Sequence, residues 1–595
     1  MNHLFKKMLA LFLVFAFLTV ACDGNNSEEP EIPEIPKIPL ENVELKKYLL
    51  ENFDLDKDGF ISVDEAALVK EINYFGCIRS SEGIQYFPNL KKLTLSHGCF
   101  SSIDLSKLTE LEELDLTKTE ALKSIDISHN LKLKTLIIDF CDISTLDVSK
   151  NLALESLSFD NHPYPDQHNP NNGLKSLKIN PELKVLRIKN HKLPSIDFRG
   201  NKHLKELSCV GSNLMVSLDV SGSVLEVLEG NALFVNINGC THLKTITCST
   251  DKLDFSLCPN LENIYLSGLK ELNISQSPLL KTLHCSHCFL SQLDLTGNPA
   301  LRELKIESTV VNLDISNCFQ LETIELLGSS IRYDIDPVDL SNRKSLKQIT
   351  LSFSKTSGDA YESINLSGCK ALENARIGAR VKTLDLTDCS QLSELKCSGN
   401  SMTELILKGC SSLTDLSCGG NELTALDMSD CVKLINLHCT NNQLASLKVA
   451  NATLINCANN KLKDIDVSKC TRLKELLCEQ NAIKTLNLTG LSSLENLSCW
   501  NNPIQSLKLD DCKSLKTLNC AGCSLETLNI DPCKSLTHLY CRQNRLKPSL
   551  DISKVLTLTT IDCTKNPDLA ELIISRNQSI KTLQKDPETK IVLSD

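Results

Sequence analysis

Residues 413–433 read LTDLSCGGNELTALDMSDCVK. The same frame returns at 473–493 (LKELLCEQNAIKTLNLTGLSS), 494–514 (LENLSCWNNPIQSLKLDDCKS) and 515–535 (LKTLNCAGCSLETLNIDPCKS). The shared pattern is LxxLxCxxNxLxxLDLSxCxx, 21 residues long. A fixed period of this length marks a solenoid, a chain wound into stacked coils. The pattern divides into two related halves, each holding a short alternating stretch: Leu416-Ser417-Cys418 and Leu426-Asp427-Met428. Alternation with period two is the signature of a strand, with every second side chain turned inward. Neither half has room for the roughly ten to twelve residues a helix needs. The reading is therefore a β-rich solenoid of about 21 residues per coil, with two short parallel strands and two tight turns in each.

Such coils must stack to be stable. In one coil Leu413, Leu416, Cys418, Leu423, Leu426, Met428 and Cys431 point inward. At roughly 1.5–3 kcal/mol each they supply about 10–20 kcal/mol. Ordering the coil's backbone costs on the order of 20–40 kcal/mol. Neighbouring coils close that gap by adding ladder hydrogen bonds and burying both flanks.

The chain carries 28 cysteines. Cys397, Cys418, Cys439, Cys457, Cys478, Cys499, Cys520, Cys541 and Cys563 follow the coil period and alternate with leucines, so they face the core. A second series runs through Cys389, Cys410, Cys431, Cys470, Cys512 and Cys533. Parallel side chains on stacked strands sit about 4.8 Å apart, wider than a disulfide prefers. Mostly free, buried thiols are expected, acting as small apolar groups. Bridges are expected only where the repeat is irregular, as at Cys240, Cys248 and Cys258. His284, Cys285, His287 and Cys288 invite a zinc reading, but Cys285 faces inward and His284 outward, so the four do not converge. Asp160, His162, Asp166 and His168 lie in a polar, Pro-rich interruption (160–173) that reads as a solvated loop.

The first 85 residues differ in kind. Residues 1–22 place Lys6 and Lys7 before an apolar run, Met8–Val20, too short for the about 20 residues of a membrane span. They read as a signal peptide ending at Cys22. Residues 23–40 are acidic, with Pro30, Pro33, Pro36 and Pro39 at every third position, which reads as an extended tether. Residues 54–65, DLDKDGFISVDE, match the calcium-loop pattern D-x-[DN]-x-[DN]-G-x5-E. Asp54, Asp56, Asp58, the Phe60 carbonyl, Ser62 and Glu65 would supply oxygen ligands to Ca2+, and Gly59 the sharp turn. Flanking helical spacing makes 41–85 an EF-hand-like helix–loop–helix and N-terminal cap. The solenoid is expected over 86–577 and a charged C-terminal cap over 578–595.

The repeat resembles the leucine-rich-repeat family over roughly residues 86–585, in its irregular bacterial subclass with nested half-repeats (IRREKO), as in internalin-like surface proteins. Asn400, Asn421, Asn442, Asn460, Asn481, Asn502 and Asn544 hold the position of the family's turn-bonding asparagine. The departure is a cysteine where the family most often has its third leucine. Residues around Cys22 resemble a bacterial lipoprotein box, which implies lipidation of Cys22, although Leu18 stands one place further back than usual. The acidic residues after Cys22 resemble surface-export signals of some bacterial lipoproteins. Together these imply a protein held at the bacterial envelope, at the outer membrane and surface-exposed.

The net charge of −11 argues against nucleic acid as a partner. No nucleophile elbow, phosphate loop or zinc-protease helix occurs, and buried thiols make poor nucleophiles, so no enzyme is expected. A long array of outward strand residues makes an extended recognition surface. On it His284, His438, Leu477 and Tyr540 stand out from small polar neighbours, with Trp500 at the rim. The family resemblance implies protein–protein recognition, including adhesion to a host or neighbouring cell. A glycan-binding or nutrient-uptake accessory is the alternative, disfavoured by only 4% aromatic residues, and a passive envelope element is a third.

Overall fold

The computed structural model describes residues 37–40, 43–161, 173–196, 198, 201–211, 215–328, 338–352 and 361–594. Cys22, His162, Asp166 and His168 lie outside them. Two short helices, Val43–Phe53 and Val63–Leu68, precede a stack of parallel coils. One strand from each coil joins a single 25-stranded parallel sheet. That sheet begins at Glu71–Phe75, which pairs with Lys92–Ser96, so its first strand falls ahead of residue 86. At the other end Thr582–Gln584 pairs with Thr560–Asp562 and Lys590–Ser594 with Glu571–Ser575, so both sheets run on into residues 578–595.

The inward positions form one core from end to end, and Leu413, Leu416, Cys418, Leu423, Leu426, Met428 and Cys431 are all buried. The second strand of the coil is less regular. It forms five separate sheets of two to four strands, such as Ala425–Met428 on Ser446–Val449, and elsewhere shrinks to single bridges like Leu486 to Leu507. The LDLS sequence explains this. The Asp427 carboxylate accepts the Ser429 N–H, and Asp385 accepts Thr387 N–H and Oγ1–H. An Asx turn takes the amide that a longer ladder would need.

The turn after the main strand is fixed by two adjacent residues. Gly420, Asn441, Asn459, Gln480, Asn501 and Gln543 all have φ between 54° and 68°, the left-handed region that Gly and Asn enter most readily. The next residue is the ladder asparagine. Asn421 Nδ2 donates to the carbonyls of Cys397 and Cys418, both at 3.0 Å, and its Oδ1 accepts the Met402 N–H. Asn442, Asn460, Asn481, Asn502, Asn544 and Asn566 repeat this, each tying two coils together.

The two thiol series differ physically. Cys397, Cys418, Cys439, Cys457, Cys478, Cys499, Cys520 and Cys541 are fully buried among leucines. Burial pushes the thiols of Cys418 and Cys457 up to about 12. Of the second series between Cys389 and Cys533, two members use their S–H groups. Cys389 donates to the Leu366 carbonyl at 3.2 Å and Cys410 to that of Leu386 at 3.2 Å. In the N-terminal coils that slot is filled by Asn130, Asn151, Asn180 and Asn298, whose Nδ2 groups donate to equivalent carbonyls. Arg343 fills it once, donating to Cys318 and Ile315. A thiol, an amide and a guanidinium can all donate from this slot, while Leu108, Leu491 and Val555 fill it as buried aliphatic groups.

The one disulfide among the described residues is Cys77–Cys99, with Cα atoms 5.2 Å apart. It corrects the expectation for Cys240, Cys248 and Cys258, which are free and buried. Cys240 donates to the Val220 carbonyl at 3.1 Å and Cys258 to that of Ile237 at 3.8 Å, so both belong to the second series. Cys248 belongs to the first. Cys77 and Cys99 are exposed, in the two opening coils, where the ladder has not begun.

Candidate functional site

One row of outward side chains runs across all 25 strands of the main sheet, set by an unbroken register. Toward its end the row reads Ser417, His438, Asn456, Leu477, Ser498, Asn519 and Tyr540, before Asp562 and Gln584 close it. Seven successive coils thus present no formal charge in this row. His438 is exposed and Leu477 and Tyr540 half-buried. The Tyr540 ring stacks on His538 at 6.5 Å. Trp500 is half-buried at the strand end, two residues beyond Ser498. The sequence-chosen His438, Leu477, Trp500 and Tyr540 therefore share one face, spread over six strands.

His284 is placed elsewhere, in the middle third. There the row reads Glu229, Thr247, Tyr265, His284, Lys305 and Glu325. Tyr265 meets His284 edge to face at 4.8 Å. Glu303 lies 3.2 Å from His284 Nε2 and 2.8 Å from Lys305 Nζ. The Lys305 hydrogen bond holds the Glu303 carboxyl below the usual carboxylate range. Thr247, Tyr265, His284 and Lys305 border a shallow concavity of about 560 Å³ between Asn231 and Glu307. Sequence reading missed this concavity. Its signal was the run of serines two places after the row residue, Ser249, Ser267 and Ser286, against Gly419, Ala458 and Ala521 in later coils.

Cys285 and Cys288 are both buried, and a hydrogen bond between the two thiols, with burial, raises Cys285 well above the ordinary thiol range. His287 is exposed.

In the N-terminal module the carboxylate oxygens of Asp54, Asp56 and Asp58 lie within 4.8 Å of one another. Asp54 accepts the Lys57 and Gly59 N–H groups at 2.6 and 3.0 Å, with Gly59 left-handed at φ 84°. Phe60 donates its N–H to Asp58 at 2.8 Å. Ser62 and Glu65 form a capping box on the second helix, and Glu65 also accepts the Leu55 N–H at 2.7 Å. Burial works to raise the Glu65 pKa, but the hydrogen bonds from Ser62, Leu55 and Asp56 outweigh it and lower it. Three clustered carboxylates suit a hard, oxygen-seeking cation.

No family model matches the chain, and no curated protein does. Among solved structures, the plant peptide hormone receptor RGFR1 in complex with RGF2 superposes with a TM-score of 0.52 at 16% identity, covering 89% of this chain and 93% of its own. YopM from Yersinia enterocolitica gives 0.39 at 18% identity, covering 78% and 91%. The functional domain of InlJ from Listeria monocytogenes, described as including a cysteine ladder, gives 0.27 at 18%, covering 77% and 72%. The fold is that of the leucine-rich-repeat solenoid. Among the described residues no helix is long and apolar enough to cross a membrane.

Proposed function

We propose that this chain is a non-catalytic, surface-held scaffold that recognises a protein on a host or neighbouring cell. The observation that carries the reading is the charge-free row from Ser417 to Tyr540, with Leu477, Tyr540 and Trp500 set among small polar neighbours. Protein interfaces deplete charge at their centre and concentrate affinity in buried aromatic anchors. Solenoid sheets supply the length such a contact needs. The solved protein of like fold is a plant peptide hormone receptor, in complex with RGF2, which supports a polypeptide partner.

The tether and Cys22 complete the picture: a lipid on Cys22 holds the body to the envelope at the outer membrane. Replacing Cys22 with serine should move the protein from the membrane fraction to the soluble fraction; an unchanged distribution would refute the anchor. The N-terminal loop holds Ca2+ in a structural role, through Asp54, Asp56, Asp58, the Phe60 carbonyl, Ser62 and Glu65. To serve as a ligand, Glu65 would have to release its hydrogen bonds to Leu55 and Asp56.

The test of recognition is binding of the labelled protein to target cells, before and after protease treatment of those cells. Binding should vanish on protease treatment and fall at least about tenfold in Leu477→Glu and Tyr540→Glu. Binding that survives either would sink the reading.

A further inference from the structure

The concavity of the middle third is chemically unlike the charge-free row. Five hydroxyl groups open into it, those of Thr247, Ser249, Tyr265, Ser267 and Ser286. Among the described residues none of the five has an intramolecular hydrogen-bond partner. Neighbouring coils show the contrast. Ser208 Oγ donates to Glu229 at 2.5 Å, and Ser158 Oγ to Asp139 at 2.8 Å. The register lays Ser249, Ser267 and Ser286 side by side on successive strands. Asn231 lies at one end; its Oδ1 accepts the Ser249 N–H at 3.1 Å, which leaves its amide N–H groups free to donate. Lys305 and Glu307 lie at the other end, with opposite charges. Five strands at about 4.8 Å spacing make the concavity a groove of about 19 Å.

We infer that this groove binds a neutral oligosaccharide, a ligand class separate from the protein partner proposed above. A sugar hydroxyl both donates and accepts, and so does each hydroxyl of the groove. The ring of Tyr265, braced edge-on by His284, gives a flat apolar surface beside those hydroxyls, as the C–H face of a pyranose requires. A peptide fits less well. The backbone groups of these strands are already spent on the parallel ladder, so no edge is open to strand addition. No deep apolar pocket is present among the lining residues to seat an anchor side chain. A polyanion or polycation meets charges of both signs at one end and none along the middle.

The experiment is calorimetric titration of the full-length protein with neutral fragments of about four to six residues from glucan, mannan, xylan and galactan, a length matched to the groove. At least one class should bind with a dissociation constant in the millimolar range or tighter. Tyr265→Ala should weaken that binding about tenfold. The triple variant Ser249→Ala, Ser267→Ala, Ser286→Ala should weaken it by about the same factor or more. Lys448→Ala, on the second face, should leave it unchanged. All the side chains altered point away from the core, so circular dichroism should match the parent. If no fragment binds, or if binding is indifferent to both groove variants, the inference is wrong. Because Leu477→Glu and Tyr540→Glu lie outside the groove, loss of cell binding and loss of sugar binding are separable results.

Discussion

Between Cys397 and Cys563 every coil carries a buried thiol, and nearly every one a ladder asparagine, while the outward row from Ser417 to Tyr540 carries no charge. Between Glu206 and Ser352 the same sheet continues in register, but the interior mixes thiols with Ile, Leu and Gly230, and the outside mixes hydroxyls, carboxylates and lysines. Strands Thr282–Asp294 and Glu303–Asp314 continue pairing beyond the turn, across a register shift between Ser286 and Phe289 where His287 is left-handed at φ 52°. The comparison separates two duties. Internal repetition secures the rod, and departures from it coincide with a change in the outer chemistry.

The largest expected effect sets the two regions apart by pH. Sixteen free thiols lie between Cys389 and Cys563, and seven between Cys209 and Cys318. Within 389–563 burial raises every one but Cys523, which a hydrogen bond with Cys499 lowers, and it carries Cys418, Cys431 and Cys457 to about 12. A raised folded pKa gives stability that is complete below the unfolded value near 9 and is lost as pH climbs toward 12. Each such thiol withdraws about 1.4 kcal/mol per pH unit above 9. Hydrogen exchange between pH 9 and 11, corrected for intrinsic rates, should show coils 389–563 opening before coils 206–365. Simultaneous opening would erase the distinction.

A smaller effect tests the two thiol series within one region. Cys397→Asn places an amide among leucines with no acceptor and should lose on the order of 3 kcal/mol in urea denaturation. Cys389→Asn restores the residue found at Asn130 and Asn298 and should stay within about 1 kcal/mol of the parent. Equal losses would mean that the second series is mere packing.

Much of this was written in the residues. The 21-residue period gave the strand phase of Leu416 and Cys418 and the turn role of Asn421 and its fellows, because alternation and turn chemistry are local. The second donor slot was obscure, since Asn130, Cys240, Arg343 and Cys389 share no residue type, only a reach toward a carbonyl one coil back. Cys77–Cys99 lay outside the consensus, so no periodicity spoke for it. The groove was hidden because serine on a strand is ordinary until the fold shows that five adjacent hydroxyls lack partners. His284 was singled out for its rarity in the row and proved to border that groove.

The smallest expected effect lies outside both regions. Chelating calcium should speed hydrogen exchange over residues 54–65 by about ten- to a hundredfold, corresponding to roughly 1–3 kcal/mol of local stability, and leave coils 206–563 untouched. Asp54→Asn with Asp56→Asn should abolish the calcium response. A loop indifferent to calcium in the parent would refute the metal reading.

The sequence breaks its period between Asn161 and Gly173, between Gly328 and Val338, and between Ser352 and Tyr361, each time beyond the end of a main-sheet strand. The pairing of Ser158 with Arg187, of Glu325 with Thr350 and of Thr350 with Arg376 survives all three. That corner tolerates changes of length that the sheet never registers. It is therefore the place to graft a foreign epitope or a reporter, and the place where descendants of this chain are free to diversify without relearning how to fold.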